Sequence, residues 1–157
     1  IERYRVIQPA VVAITHLSRA IIYEGLGDQP SAIVRYDSAR IQFESIIRSN
    51  PQSAYVAVYR SSLGLAYAGL HRCDEAVRIG EEAVRMIPIS RDAIIGPALI
   101  GYLAEIYLRC GKYDQAMDQL EIWLAVPSDV SGELLRIDPL WEPLRKNPRF
   151  IRLVEGK

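Results

Sequence analysis

The sequence has little cysteine, little histidine and no excess of either charge. Two cysteines and two histidines occur in 157 residues, and 19 Lys and Arg balance 19 Asp and Glu. Nucleic-acid-binding domains usually carry an excess of positive charge, so this balance argues against that class. The uncharged stretches are too short to cross a bilayer, and no signal peptide opens the chain. These absences favour a cytoplasmic protein that binds neither nucleic acid nor membrane.

The two cysteines, Cys73 and Cys110, lie far apart in the sequence. Small secreted domains stabilised by disulfides generally contain more cysteines, so we expect both thiols to be reduced. His71 and Cys73 could supply two ligands to zinc, but a structural zinc site needs four, and no second close pair is present. We therefore predict that the chain holds no metal and no cofactor.

Residues that could form a catalytic site are also scarce. A nucleophilic serine or cysteine needs a histidine and an orienting acid, and the chain offers only His16 and His71. The glycines at 25 and 27 do not form a phosphate-binding loop, because the third glycine is missing and a predicted helix precedes them. We predict that the chain is not an enzyme and has no catalytic residues.

Apolar residues recur at helical spacing along nearly the whole chain, and strand-like alternation is absent. Glycine, proline and polar residues divide the chain into six long helical segments, at residues 8–25, 30–49, 52–69, 74–87, 91–109 and 113–126. Two shorter segments follow at 132–137 and 148–155. Asn147 is a suitable cap for the last one, since Pro148 then occupies its first position. The pattern predicts a single all-α domain over 1–157, built of helical hairpins.

An internal repeat becomes visible when the tyrosines near the ends of the odd-numbered segments are aligned. These tyrosines are Tyr23, Tyr67 and Tyr107. An alanine stands nine residues after each tyrosine, and a residue that must end the helix in a tight turn stands four residues after it. The three turn residues are Gly27, His71 and Gly111. Antiparallel helices approach closely only where the facing side chains are small, so these residue sizes indicate stacked hairpins.

The repeat resembles the tetratricopeptide repeat, a 34-residue helical pair with the pattern W-x2-L-G-x2-Y followed by spaced alanines and a proline. The middle unit, 57–90, matches this pattern at Leu63, Gly64, Tyr67, Ala76, Ala83 and Pro88. It departs from the pattern at Arg60 and Gly80, where aromatic residues are expected. The outer units are 13–50 and 97–130, and the tyrosines are spaced by 44 and 40 residues instead of 34. The resemblance implies a right-handed superhelical stack of antiparallel hairpins, an α-solenoid.

The tail, residues 131–157, resembles a segment that follows such repeats in bacterial multidomain signalling proteins, among them kinases, nucleotide cyclases and transcription regulators. Its apolar residues are sufficient to cover the last hairpin, and the ends of a solenoid need such a capping segment. The chain begins with Ile rather than Met, so we expect it to be part of a longer protein of this class.

The resemblance also implies a function, because tetratricopeptide arrays bind proteins or peptides in a concave groove formed by the first helices of the hairpins. The groove positions carried over to this chain are Leu17, Ile21, Glu24, Ser61, Leu65, Tyr102, Glu105 and Arg109. One subgroup of the family clamps a partner's carboxylate with Lys and Asn. Ser61 and Leu65 stand where the first two clamp residues would be needed, which argues against such a clamp.

Two alternatives to binding a separate partner stay open. The domain could contact other domains of its own chain, as a regulatory or sensor module of a kinase, cyclase or transcription regulator. It could also form a homodimer through its tail, with Trp141 and Phe150 crossing the interface. Each alternative predicts a binding domain without enzymatic activity.

Overall fold

The protein is described by a computed structural model that covers residues 2–128 and 130–156, with side chains from residue 9 onward. Within these residues the chain is helical and contains no strand. The helices are α1 (Glu2–Gly25), α2 (Gln29–Ser49), α3 (Val56–Gly69), α4 (Cys73–Met86), α5 (Ile95–Arg109), α6 (Tyr113–Ala125), α7 (Gly132–Ile137) and α8 (Pro148–Glu155), and a 3₁₀ helix (Pro139–Leu144) connects the last two. No helix among the described residues is both long enough and apolar enough to cross a bilayer.

All six predicted long helices are present, but three of them begin four or more residues away from the predicted start. α1 begins at Glu2 instead of residue 8, and α3 and α5 each begin four residues later than predicted. In front of α5, the Asp92 carboxylate accepts hydrogen bonds from the amides of Ile94 and Ile95, at 2.9 and 2.8 Å. Side-chain hydrogen bonds of this kind favour a turn and compete with the first turn of a helix.

The long helices pack as three consecutive hairpins, α1–α2, α3–α4 and α5–α6, which contact one another through α2–α3 and α4–α5. The turn inside each hairpin contains one residue with a positive φ: Gly27 at 77°, His71 at 59° and Gly111 at 68°. These are the three turn residues predicted from the repeat. Glycine adopts this conformation freely, whereas a histidine in the same place carries some strain.

Small residues make the close contacts between the helices, as the repeat predicted. The repeat alanines Ala20, Ala32, Ala76, Ala104 and Ala116 are all 0% exposed. Gly64 and Gly80 together form a notch for Ile106 of the next hairpin, because a Cβ on either glycine would lie 2.6 or 2.8 Å from Ile106 Cδ1. The hairpins can therefore approach each other closely at these positions.

Cys73 and Cys110 form a disulfide, so the expectation of two reduced thiols is wrong. Cys73 is the first residue of α4, and Cys110 follows the last residue of α5. Stacking of the second and third hairpins brings these helix ends together, with the Cα atoms 5.5 Å apart, a usual distance for a disulfide. The small number of cysteines in the chain does not predict their redox state here, because stacking of adjacent repeats brings the two together.

The residues after α6 fold back over the third hairpin, as predicted for a capping segment. Leu135, Trp141, Leu144 and Phe150 are at most 2% exposed and belong to the same apolar cluster as residues of α5 and α6. The Asn147 side chain accepts a hydrogen bond from the Arg149 amide at 2.8 Å, which confirms the predicted helix cap. This fold-back forms one wall of a cleft beside α5.

Candidate functional site

Three of the eight predicted groove residues do not reach the surface. Leu17, Ser61 and Leu65 are 7%, 0% and 3% exposed. They lie on first helices of the hairpins, and α3 contacts both α1 and α5 directly. A partner could not touch these three side chains without separating the helices. Ile21, in contrast, is 37% exposed on α1.

Glu24, Glu105 and Arg109 form an ion-pair cluster that joins the first hairpin to the third. Arg109 Nη1 donates a hydrogen bond to Glu24 Oε2 at 2.5 Å, and Arg109 Nε donates to Glu105 Oε1 at 2.8 Å. The Tyr36 hydroxyl donates to the same Glu24 oxygen at 2.9 Å. Because the Arg109 side chain is only 12% exposed, the cluster is largely closed to solvent.

The electrostatics of this cluster indicate a structural joint between hairpins. Burial raises the pKa of Tyr36. Arg109 acts in the opposite direction and Glu24 in the same direction, and the net effect is a raised pKa. The hydroxyl therefore stays protonated and remains a donor. Burial alone would lower the pKa of Arg109, but Glu105, Tyr36 and Glu24 outweigh it and raise that pKa. Arg109 thus keeps its positive charge and pairs it with Glu24 and Glu105, which leaves little of that charge for a partner.

Tyr102 and Glu105 also line a cleft between α5 and the C-terminal segment. Its volume is about 670 Å³, within the range in which proteins commonly bind small molecules or side chains. On α5 the cleft is lined by Ala98, Gly101, Tyr102 and Glu105. These are all positions of the third repeat unit.

Trp123 of α6 forms part of the same cleft, and Gly101 makes room for it. A Cβ on Gly101 would lie 2.7 Å from Trp123 Cζ2 and 2.8 Å from Trp123 Cη2, so the indole ring lies directly on the glycine. Any larger residue at position 101 would displace the ring and change the shape of the cleft.

The opposite wall belongs to the C-terminal segment, for which the sequence predicts a capping role and leaves open a homodimer interface. Leu134 and Ile137 line the cleft and are 49% and 66% exposed. The lining includes the carboxylates of Glu105 and Asp138. Among the described residues it contains no Lys or Arg. The cleft therefore combines apolar walls with negative charge. Its second wall was missed because no sequence pattern reveals which way the tail folds back.

A scan against protein-family models, a search of curated proteins and a search of solved structures each found no match to this chain. The described residues contain no group of three or more His, Cys, Asp or Glu side chains that could hold a metal ion. The shape and chemistry of the surface are therefore what point to a function.

Proposed function

We propose that this chain is a peptide- or protein-binding domain, and that an apolar side chain of the partner enters the cleft between α5 and the C-terminal segment. The observation that carries the proposal is an apolar cleft of about 670 Å³ whose wall exposes Leu134 and Ile137. Covering such side chains removes apolar surface from water, which is the main favourable term in most protein association.

The charge of the cleft favours a partner with a Lys or Arg beside its apolar anchor. Asp138 is exposed at the cleft, while Glu105 is mostly buried and already shares its charge with Arg109. Because the described lining contains no cation, an acidic peptide would meet like charge there. A basic side chain would instead reach Asp138 at the edge of the cleft.

The proposal includes an architecture, namely that the three hairpins form an α-solenoid of the tetratricopeptide type. Consecutive stacking of the hairpins, positive-φ turns at equivalent positions and buried repeat alanines support it. In this array the third hairpin and the tail would supply the binding cleft. The inner faces of the first two hairpins would contribute less, since Leu17, Ser61 and Leu65 are buried.

The test is a series of fluorescent decapeptides with a central Leu or Phe flanked by Lys, Gln or Glu, titrated into the 1–157 chain by anisotropy. We expect the Lys peptides to bind most tightly. Ile137→Asn should weaken that binding about tenfold, because it removes an apolar contact worth about 1.5 kcal/mol or more. The matched control is Ile94→Asn, which alters an isoleucine that is 86% exposed and outside the cleft.

Equal binding by both variants would contradict the location of the site, and no saturable binding across the series would contradict the function. An intramolecular regulatory role would use the same cleft, with the peptide supplied by another part of the same protein. Self-association through the tail is less well supported, because Trp141 and Phe150 are each 2% exposed and already packed within the chain.

A further inference from the structure

One face of α1 carries an apolar stripe that no other described helix covers. Val12 and Ile22 of α1, and Leu26 in the turn directly after it, are 44%, 59% and 75% exposed. Arg19 and Tyr23 lie on the same face, since all five residues follow helical spacing. We call these five residues the α1 stripe.

The internal repeat shows what covers the equivalent stripe in the other two hairpins. Alignment of the repeat tyrosines makes Ile22 equivalent to Ala66 of α3 and Ile106 of α5, and both of these are 0% exposed. The helix α2 packs against α3, and α4 packs against α5. The second helix of the preceding hairpin therefore takes part in the cover in each case, and at Ile106 the first helix contributes as well, through Gly64.

The covering helices also supply an acceptor to the repeat tyrosine. The Tyr67 hydroxyl donates to Glu44 Oε1 of α2 at 2.7 Å, and the Tyr107 hydroxyl donates to Glu81 Oε1 of α4 at 2.8 Å. The Tyr23 hydroxyl has no such acceptor among the described residues. Beside it lies an open depression of about 260 Å³, lined by Tyr23, Pro30, Ser31, Val34 and Arg35.

Two arginines lie beside the α1 stripe, and the nearby carboxylate of Asp28 is used to cap α2, where it accepts a hydrogen bond from the Ser31 amide at 3.1 Å. Arg19 is exposed, and Arg35 lies beside His16, with 3.4 Å between Arg35 Nη1 and His16 Nδ1. Within the described part of the chain, neither arginine forms an ion pair with a carboxylate. A ligand for this surface should therefore carry negative charge together with an apolar face.

We propose that the α1 stripe binds an acidic amphipathic helix of a partner protein, in the way that α2 covers α3 and α4 covers α5. Apolar side chains of that helix would cover Val12, Ile22 and Leu26. One of its glutamates would accept the hydrogen bond of the Tyr23 hydroxyl, and other carboxylates would pair with the nearby arginines. The stripe belongs to the first hairpin and the cleft to the third, so this inference does not depend on the proposed function.

The probe is a peptide of residues 73–88, because α4 is the chain's own example of a covering helix. Cys73→Ser removes its thiol. A hydrocarbon staple replaces Arg78 and Arg85, whose side chains are 61% and 65% exposed, so the peptide becomes more acidic and stays helical. Fluorescence anisotropy with the 1–157 chain should show saturable binding. We expect Ile22→Asn to weaken it about tenfold and Ile94→Asn to leave it unchanged.

The hydrogen bond is tested by pairing a protein variant with a peptide variant. Tyr23→Phe in the protein and Glu81→Gln in the peptide should each weaken binding about threefold, and the two together should weaken it no further than one alone. Independent, multiplying effects would overturn the proposed contact.

The proposal as a whole is overturned if the stapled peptide shows no saturable binding, or if Ile22→Asn and Ile94→Asn bind it equally. Sedimentation equilibrium of the 1–157 chain tests a second copy as the occupant. A dimer of the parent chain that Ile22→Asn dissociates would assign the α1 stripe to self-association instead, and a monomer at all concentrations is the expected result.

Discussion

Each of the two junctions between hairpins packs a large side chain on a glycine, but the glycine lies on opposite sides of the two junctions. At the first junction, Tyr36 of α2 packs on Gly69 of α3, where any Cβ would overlap the tyrosine ring. At the second junction, Gly80 of α4 makes room for Ile106 of α5, with only 2.8 Å between a built Cβ and Ile106 Cδ1. Tyr36 and Gly80 occupy the same position of the repeat. At both junctions a large side chain therefore packs on a glycine, but the large residue comes from the earlier hairpin at the first junction and from the later hairpin at the second.

The junctions also differ in what fixes them. The second is fixed by the Cys73–Cys110 disulfide. The first has no covalent link, and Arg109 of the third hairpin reaches across to Glu24 and to the Tyr36 hydroxyl, which lies 3.2 Å from Arg109 Nη1. The comparison teaches that the second junction carries a covalent bond, whereas the first hairpin is held by a mostly buried ionic cluster that reaches past the second hairpin to the third.

Removal of the disulfide should have the largest effect on the second junction. We expect Cys73→Ser/Cys110→Ser to lower the free energy of unfolding by about 4 kcal/mol, because the bond spans 37 residues and restricts the unfolded chain. Urea unfolding measures this change. Reductant should destabilise the parent chain similarly and leave the double variant unaffected. A double variant as stable as the parent would show that the disulfide contributes nothing to this junction.

Arg109→Met should have the largest effect on the first junction, at about 3 kcal/mol. The substitution leaves Glu24 and Glu105 without their cation in a mostly buried site. The matched control is Arg78→Met, which breaks a pair in which the arginine is 61% exposed and should cost less than about 1 kcal/mol. Equal losses in the two variants, measured by urea unfolding, would mean that the cluster does not hold the junction.

Much of the fold could be predicted because helices and turns depend on local spacing. The tyrosine, alanine and turn positions recur in each unit, and the structure confirms the hairpins and the three positive-φ turns. The helix starts at α3 and α5 were predicted wrongly because polar side chains there form turns, as Asp92 does. Periodicity of apolar residues does not detect that competition.

The candidate site could be predicted only in part. Burial of Leu17, Ser61 and Leu65 depends on how closely α1, α3 and α5 pack, and sequence spacing contains no information on that distance. Tyr102 and Glu105 do line a cleft, but its other wall depends on the path of the tail. The disulfide was missed for a related reason, since both cysteines lie at helix ends that meet only after the hairpins stack.

The exchange of large and small residues can be tested at position 80, where the tetratricopeptide pattern has Phe. We expect Gly80→Phe to cost about 2 kcal/mol, because the new ring would collide with Ile106 and with Leu103 Cδ1, 3.1 Å from a built Cβ. Adding Ile106→Ala should recover part of this loss, so the double variant should be more stable than the sum of the single changes predicts. Stabilisation by Gly80→Phe alone would contradict the volume argument.

Removal of the Tyr107 hydroxyl is expected to have the smallest effect on stability in this series. Tyr107→Phe should lower the free energy of unfolding at pH 7 by about 1 kcal/mol, because it removes the 2.8 Å hydrogen bond to Glu81. Tyr67→Phe at the first junction should cost somewhat more, since its acceptor Glu44 is 27% exposed, against 39% for Glu81. Equal or reversed losses would remove this distinction between the junctions.

Alkaline pH tests the same tyrosine in another way. Burial, together with the hydrogen bond to Glu81, raises the pKa of Tyr107 to about 12, whereas an ordinary tyrosine has a pKa of about 10. The folded chain therefore holds this proton more tightly than the unfolded chain does. Its contribution to stability is complete below about pH 10 and is lost as the pH rises towards 12.

The free energy of unfolding of Tyr107→Phe should consequently decrease less steeply between about pH 10 and 12 than that of the parent chain. The control is Tyr113→Phe, which alters a residue that is 45% exposed and should leave the slope nearly unchanged. Chemical unfolding at several pH values in this window gives both slopes. If the two variants lose stability at the same rate, the Tyr107 proton is not held by the second junction, and the hydrogen bond to Glu81 adds nothing to it at high pH.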